Sequence, residues 1–186
     1  MTSIRIVERS RPPLTGDERT LLTAFLDFHR GTVRIRCADL ALASDDQSDD
    51  HSDDRAEERA GAMTFSQLPP LVRPVEVVAH LRWLEHFWCE VVLGGKAGTA
   101  PHNEHYPEDS FRVYDDTTLP QVLAGYERQC EVSRRILAEL DLDHEVEWHD
   151  RKTSVRWVFL HLIEETARHN GHLDAVRELH IGSGGE

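Results

Sequence analysis

The chain has 186 residues, of which 39% are hydrophobic, and this length predicts a single domain that spans 1–186. Its 34 acidic and 21 basic residues give a net charge of -13, which argues against nucleic acid or an anionic membrane surface as a partner. No apolar run approaches the roughly 20 residues that span a bilayer, and the first 18 residues lack the apolar segment of a secretory signal. We therefore expect a cytoplasmic protein.

The three cysteines, Cys37, Cys89 and Cys130, lie far apart and form no CxxC pair. This spacing fits neither a disulfide framework nor a zinc finger built on cysteines, so we interpret them as small core residues in a reducing compartment. The 12 histidines are the first compositional sign of a chemical site.

The first helix is predicted over about 17–42, where apolar residues recur at helical spacing. Thr15 and Glu18 match a capping box at its start. The next segment, 44–61, is acidic and contains no aliphatic side chain larger than alanine. Because such a segment cannot bury enough surface to offset its ordering entropy, we predict a flexible loop.

The second helix is predicted over about 74–93, because Pro74 suits its first turn and Gly94 its end. A long loop rich in proline and acidic residues follows at 96–116. It includes His102 and His105, whose HxxH spacing makes a weaker metal candidate without a helix to hold it.

The third helix is predicted over about 118–140, opened by a capping box of Thr118 and Gln121. A linker at 141–152 precedes the fourth helix, which begins near Thr153 or Ser154. That helix continues to about residue 179, and the tail at 181–186 is predicted to be flexible. Four amphipathic helices without a convincing strand predict an all-α four-helix bundle with long loops between helices one and two and helices two and three.

The core-facing stripe of the fourth helix is apolar at both ends and polar in the middle. Read in steps of three and four, the stripe is Val155, Val158, Leu162, Glu165, His169, His172, Val176 and Leu179. A carboxylate and imidazoles in a core are costly unless they are paired or bind a metal. Glu165 and His169 are four residues apart, so both can reach one ion.

The second helix offers one further histidine on its own stripe, which reads Val77, His80, Leu84, Phe87 and Val91. His86 lies 600° from His80 at 100° per residue, which places it away from the apolar face. We therefore choose His80 as the partner of the fourth-helix pair.

Two imidazoles and one carboxylate form a ligand set that suits zinc and also nickel or iron(II). Three protein ligands leave one position for water or substrate, which is typical of catalytic zinc sites. The alternative is a metal-free core in which Glu165 pairs with the histidines or with Arg168.

Three segments resemble the DinB-like superfamily, most closely its DUF664 branch. The fourth-helix segment at 157–178 reads WVFLHLIEETARHNGHLDAVRE, and it matches the H-x-I-E-E-x-A-R-H-N-G-H type of helix in that branch. The segments VVAHLRWLEHFW at 77–88 and GDERTLLTAFLDFHR at 16–30 are similar as well, although His86 stands where the branch has glutamate.

The resemblance implies a four-helix bundle with a metal held by His80, Glu165 and His169, the ligand order of maleylpyruvate isomerase-like relatives that use mycothiol. It further implies a thiol-cofactor-dependent S-transferase or isomerase that acts on a small molecule, with mycothiol as the model thiol. His161 and His172 lie one turn to either side of the helix-four pair, where each can orient a ligand or shuttle a proton.

Two alternatives stay open at this point. One is a non-catalytic stress-response or small-ligand-binding bundle, and the other is a metal-dependent hydrolase at the same three residues. The four tryptophans, Trp83, Trp88, Trp148 and Trp157, are interpreted as core or pocket-wall residues. Homodimerisation is compatible with a bundle of this kind, although the sequence marks no interface.

Overall fold

A computed structural model of the chain describes residues 9–46, 73–97, 113 and 117–181. The helices and strands in chain order are α1 (Glu18–Asp46), α2 (Pro74–Glu85) with its π-helical continuation (His86–Leu93), α3 (Leu119–Glu139), β1 (Glu145–Trp148), β2 (Arg151–Ser154) and α4 (Val155–Ile181). Within this part of the chain, none of the helices is both long and apolar enough to cross a bilayer.

The helices form the predicted bundle. α1 packs mainly against α4, and α2 packs mainly against α3, while α4 also contacts α2. The fully buried core draws apolar side chains from all four helices, among them Leu26, Val33, Val77, Leu81, Tyr126, Leu137, Val158, Leu162 and Leu173. The contact between α2 and α4 matters most for function because both carry candidate ligands.

The helix starts confirm one predicted capping box and correct the other. At α3, the backbone N–H of Thr118 donates to Oε1 of Gln121 at 2.9 Å, as predicted. At α1, the cap is Asp17 and not Thr15, since Asp17 accepts from the backbone N–H of Thr20 at 2.9 Å. A carboxylate there satisfies an orphan N–H and also favours the positive end of the helix dipole.

A short hairpin, which the sequence did not predict, starts in the predicted linker at 141–152 and runs to Ser154, so α4 begins at Val155 and the all-α bundle carries one small sheet. β1 and β2 pair antiparallel, with Glu145 opposite Ser154 and Trp148 opposite Arg151. His149 in the connecting turn has φ of 55°, the left-handed conformation that two-residue hairpin turns require. Strands of four residues joined without glycine or asparagine give little signal in a sequence.

The second helix changes its winding after Glu85. From His86 to Leu93 it is π-helical, and the N–H of Gly94 bonds to the carbonyl of Cys89, five residues back, at 2.9 Å. The wider turn rotates the buried face, so Trp88 and Cys89 are buried. The predicted stripe residues Phe87 and Val91 are only half-buried, and the assumption of a constant period of 3.6 was wrong here.

Several predicted loops lie wholly or mostly outside the described residues. α1 continues to Asp46, so the first three residues of the predicted loop at 44–61 are helical, and 47–61 lies outside. Most of 96–116, including His102 and His105, lies outside as well. The first residue of the predicted tail at 181–186, Ile181, is the last residue of α4, and 182–186 lies outside.

Candidate metal centre

α2 and α4 bring His80, Glu165 and His169 together, as the two helical stripes predict. Their donor atoms all lie within 4.8 Å of one another. Oε2 of Glu165 lies 3.5 Å from Nε2 of His169 and 3.9 Å from Nε2 of His80. The two imidazole rings meet edge to face, with centroids 4.8 Å apart. His86 points elsewhere and contacts Glu90, which agrees with the choice of His80.

These separations fit a small divalent cation better than direct hydrogen bonding. A hydrogen bond between nitrogen and oxygen has a length of about 2.7 to 3.2 Å. Tetrahedral ligands about 2.1 Å from an ion lie about 3.4 Å apart. The separations of 3.5 and 3.9 Å between Glu165 and the histidines are close to this spacing, so the three donors can hold an ion with small side-chain movements.

The two carboxylate oxygens of Glu165 have different partners. Oε1 lies 2.9 Å from Nη1 of Arg168, whereas Oε2 faces the two histidines. The predicted alternative, pairing with Arg168, is therefore present, but it uses only one oxygen. The ion pair orients the carboxylate so that its second oxygen points at the imidazoles.

Burial sets the protonation of the cluster. Burial, together with the nearby His172 and Arg168, lowers the pKa of His169 to about 4. The imidazole is therefore neutral at neutral pH, which is the form that binds a metal. Burial raises the pKa of Glu165, although Arg168 opposes the shift. Arg168 compensates the charge of Glu165 at Oε1 only, and a divalent cation between Oε2 and the imidazoles would add to that compensation.

His172 contacts the cluster from its outer side. Its Nδ1 lies 3.2 Å from Nδ1 of His169, so it can hold the tautomer of His169 that leaves Nε2 free to bind an ion. The predicted core position was wrong, because His172 is exposed and Leu173 is fully buried in its place. A step of four residues from His169, not three, continues the buried face of α4.

His161 lies on the other side of Glu165. Its ring stacks on Trp157, with centroids 4.8 Å apart at 15°, and meets Trp88 edge-on. Its donor atom lies within 4.8 Å of carboxylate oxygens of Glu164 and Glu165. Burial lowers the pKa of His161, which favours a neutral ring beside the cluster.

Two contacts that support the cluster were not predicted from the sequence. Asn170 donates from Nδ2 to the carbonyl of His29 at 3.0 Å and so ties α4 to α1 next to His169. Arg30 of α1 forms a buried ion pair with Glu85 of α2, with Nε and Nη2 each 2.7 Å from a carboxylate oxygen. Neither contact joins residues near in sequence, so helical periodicity alone cannot find it.

The cysteines do not supply a nucleophile. Cys37, Cys89 and Cys130 are free and buried, as predicted. Burial raises the pKa of each thiol to about 12, so none forms a thiolate at neutral pH. Thiol chemistry at this centre therefore requires a thiol from outside the chain.

Comparison with known families gives one finding. A family model described as mycothiol-S-transferase matches residues 21–182, which is most of the chain and includes all three candidate ligands. No curated protein and no solved structure matches the chain.

Proposed function

The chain belongs to the mycothiol-S-transferase family, and on this premise we propose that it is a divalent-metal-dependent transferase with His80, Glu165 and His169 as metal ligands. Its reaction joins the sulfur of a mycothiol-type thiol to a small electrophilic molecule. The observation that carries this proposal is the convergence of two imidazoles and one carboxylate inside a chain whose own thiols are buried. Zinc is the first candidate, and nickel or iron(II) would also suit these donors.

A bound divalent metal supplies one kind of chemistry here, since it lowers the pKa of a coordinating thiol until the thiolate predominates at neutral pH. The protein residues have separate tasks. His80 and His169 present their Nε2 atoms, and Glu165 presents Oε2 while Arg168 holds Oε1. His172 holds the proton on Nδ1 of His169. His80 and His169 are buried, at 8% and 5% exposed.

The family match favours transfer of the thiol over the isomerase reaction that the sequence left open. A metal-dependent hydrolase and a non-catalytic bundle are the alternatives that the two experiments below distinguish from a transferase. The cytoplasmic location and the homodimer stay predictions, and the proposal depends on neither.

The first experiment measures metal content by mass spectrometry on untagged protein that has been purified without nickel affinity chromatography. We expect close to one metal ion per chain in the parent and loss of that ion in His80→Ala and Glu165→Ala. The matched control is His144→Ala, which removes an exposed histidine outside the cluster. A parent that stays empty after incubation with zinc, nickel or iron(II) would overturn the metal site.

The second measurement follows consumption of mycothiol with an alkylating agent. We expect metal-dependent turnover that requires the thiol. Metal-dependent turnover of an ester or amide without any thiol would identify a hydrolase. A metal-loaded protein without turnover in either assay would support the binding bundle.

A further inference from the structure

Five aromatic side chains form a continuous cluster beside the candidate metal centre, and His161 ends it. We call this cluster of side chains the aromatic arc: Trp83, Phe87, Trp88, Trp148, Trp157 and His161. The rings form a path from Trp83 through Phe87, Trp88 and Trp157 to His161, with centroid separations from 4.8 to 5.4 Å. Trp148 branches from this path and contacts Trp88 at 5.0 Å. The arc combines three parts of the fold, because α2 with its π-helical continuation, the hairpin and α4 all contribute to it.

Both ends of the arc reach the metal centre. At one end, Trp83 stacks on His80, with centroids 6.0 Å apart at 28°. At the other end, the donor atom of His161 lies within 4.8 Å of a carboxylate oxygen of Glu165. An aromatic molecule at either end of the arc would therefore lie next to one of the candidate ligands.

The arc is only partly buried, which distinguishes it from the core. Trp88 is its buried centre at 5% exposed, whereas Trp157 is 45% exposed. Trp83, Phe87 and Trp148 are half-buried. Adjacent exposed apolar surface of this kind marks ligand sites more often than a single exposed side chain does.

We propose that the aromatic arc binds the planar aromatic part of the electrophile that receives the thiol sulfur. This inference rests on the proposed function and specifies its substrate class. The protein then prefers arylmethyl halides and related aromatic alkylating agents over small aliphatic ones. Rings offset or edge-on to Trp157 and Trp148 would supply the selectivity, since aromatic pairs attract beyond their buried area.

The transfer step balances without a redox partner. The thiol sulfur forms a bond to the arylmethyl carbon while the bond from that carbon to the halogen breaks. The halogen leaves with the electron pair as halide, and the thiol proton passes to solvent.

Binding can be tested without thiol or turnover. The probe is 4-nitrotoluene, an unreactive nitroaromatic that quenches tryptophan fluorescence, titrated into the full-length protein. We expect saturable quenching in the parent and a half-saturation concentration about tenfold higher in Trp157→Ala. Trp157→Phe should recover most of the affinity. The matched control is Leu160→Ala, which removes an exposed apolar side chain of the same helix outside the arc and should change nothing.

The reaction is then compared for 4-nitrobenzyl chloride and iodoacetamide with the same thiol. Trp157→Ala should lower kcat/KM about tenfold for the aromatic electrophile and leave it unchanged for iodoacetamide. Unsaturable quenching, equal affinity in Trp157→Ala, or an equal loss for both electrophiles would overturn the inference. Saturable binding at the arc without transfer to either electrophile would instead overturn the proposed function.

Discussion

Glu85 of α2 and Glu165 of α4 are both enclosed by the bundle, but their carboxylates have different partners. Both oxygens of Glu85 accept hydrogen bonds of 2.7 Å from Arg30, and these two side chains are at most 4% exposed. Oε2 of Glu165 has its two histidine neighbours at 3.5 and 3.9 Å, and its arginine partner, Arg168, is 54% exposed.

The difference separates a structural ion pair from a site that can bind. Glu85 faces a buried guanidinium, and its negative charge raises the pKa of Arg30 against the opposing effect of burial. Because both oxygens of Glu85 already accept hydrogen bonds from a guanidinium, this carboxylate does not need a metal as a partner. Burial raises the pKa of Glu165, although Arg168 opposes the shift, and its Oε2 faces two imidazoles at distances longer than a hydrogen bond. A divalent cation could fill that space, so the long separations are the informative feature.

The largest expected effect comes from breaking the structural pair. Glu85→Gln should lower the free energy of unfolding by about 3 kcal/mol, because buried Arg30 then keeps only Asp27, whose Oδ1 lies 2.9 Å from Nη1, as a counter-charge. The double variant Arg30→Met with Glu85→Leu removes both charges and should stay within about 1 kcal/mol of the parent or exceed it. Urea unfolding at pH 7 measures both values. A single variant as stable as the parent would contradict the assignment.

The second-largest effect is the stabilisation expected when a metal binds to His80, Glu165 and His169. Zinc at one hundred times its dissociation constant should raise the free energy of unfolding by about 2.7 kcal/mol. His80→Ala and His169→Ala should abolish the rise, while His144→Ala retains it. Thermal unfolding with and without zinc provides the measurement. The zinc-dependent rise in unfolding free energy should be absent only in the variants that lack a metal ligand. An equal rise in all variants would show that zinc binds to histidines elsewhere on the surface.

A smaller effect is expected for the histidine that contacts a ligand from outside. His172→Ala should weaken metal binding about 10- to 100-fold, because His169 loses the partner that holds its tautomer. Since His172 is exposed, unfolding of the metal-free protein should change by less than about 0.5 kcal/mol. Competition with a chromophoric chelator measures the affinity. Unchanged metal affinity would show that the 3.2 Å contact has no positioning role.

The smallest expected effect concerns Glu90 and tests whether its hydrogen-bonded carboxylate stays ionised in the folded protein. Glu90 is bonded by His86 at 3.0 Å, by Gln129 at 2.9 Å and by Lys96. Burial alone would raise the pKa of Glu90, but these hydrogen bonds lower it to about 2, opposite to the shift of Glu165.

Glu90→Gln should therefore cost about 1 to 2 kcal/mol of unfolding free energy at pH 7. The folded pKa lies below the ordinary value of 4.5, so the contribution is complete above pH 4.5 and is lost as the pH falls towards 2. Urea unfolding of parent and variant at pH 7, 4 and 3 should show their difference shrinking. A difference independent of pH would contradict the ionised, hydrogen-bonded state.

Helical periodicity was sufficient for the parts of the site that lie along one helix. The spacing of Glu165 and His169 places both on one face of α4, and the same logic selected His80 over His86 on α2. The helix count followed from the same patterns, because amphipathic stripes and capping residues are local signals. The error at His172 shows the limit, since steps of three and four are both helical and only packing against neighbouring helices shows which one is buried.

Side-chain spacing within each helix is enough to predict the four-helix bundle and the three converging donors. The remaining features depend on contacts between segments that are distant in the sequence. The π-helical turn after Glu85, whose carbonyl meets Oγ of Ser133 at 3.4 Å, rotates Trp88 into the arc, and the hairpin adds Trp148. The Arg30–Glu85 pair joins residues 55 apart. Which side chains meet across a bundle depends on helix register and crossing, and these come from the packing of the whole core.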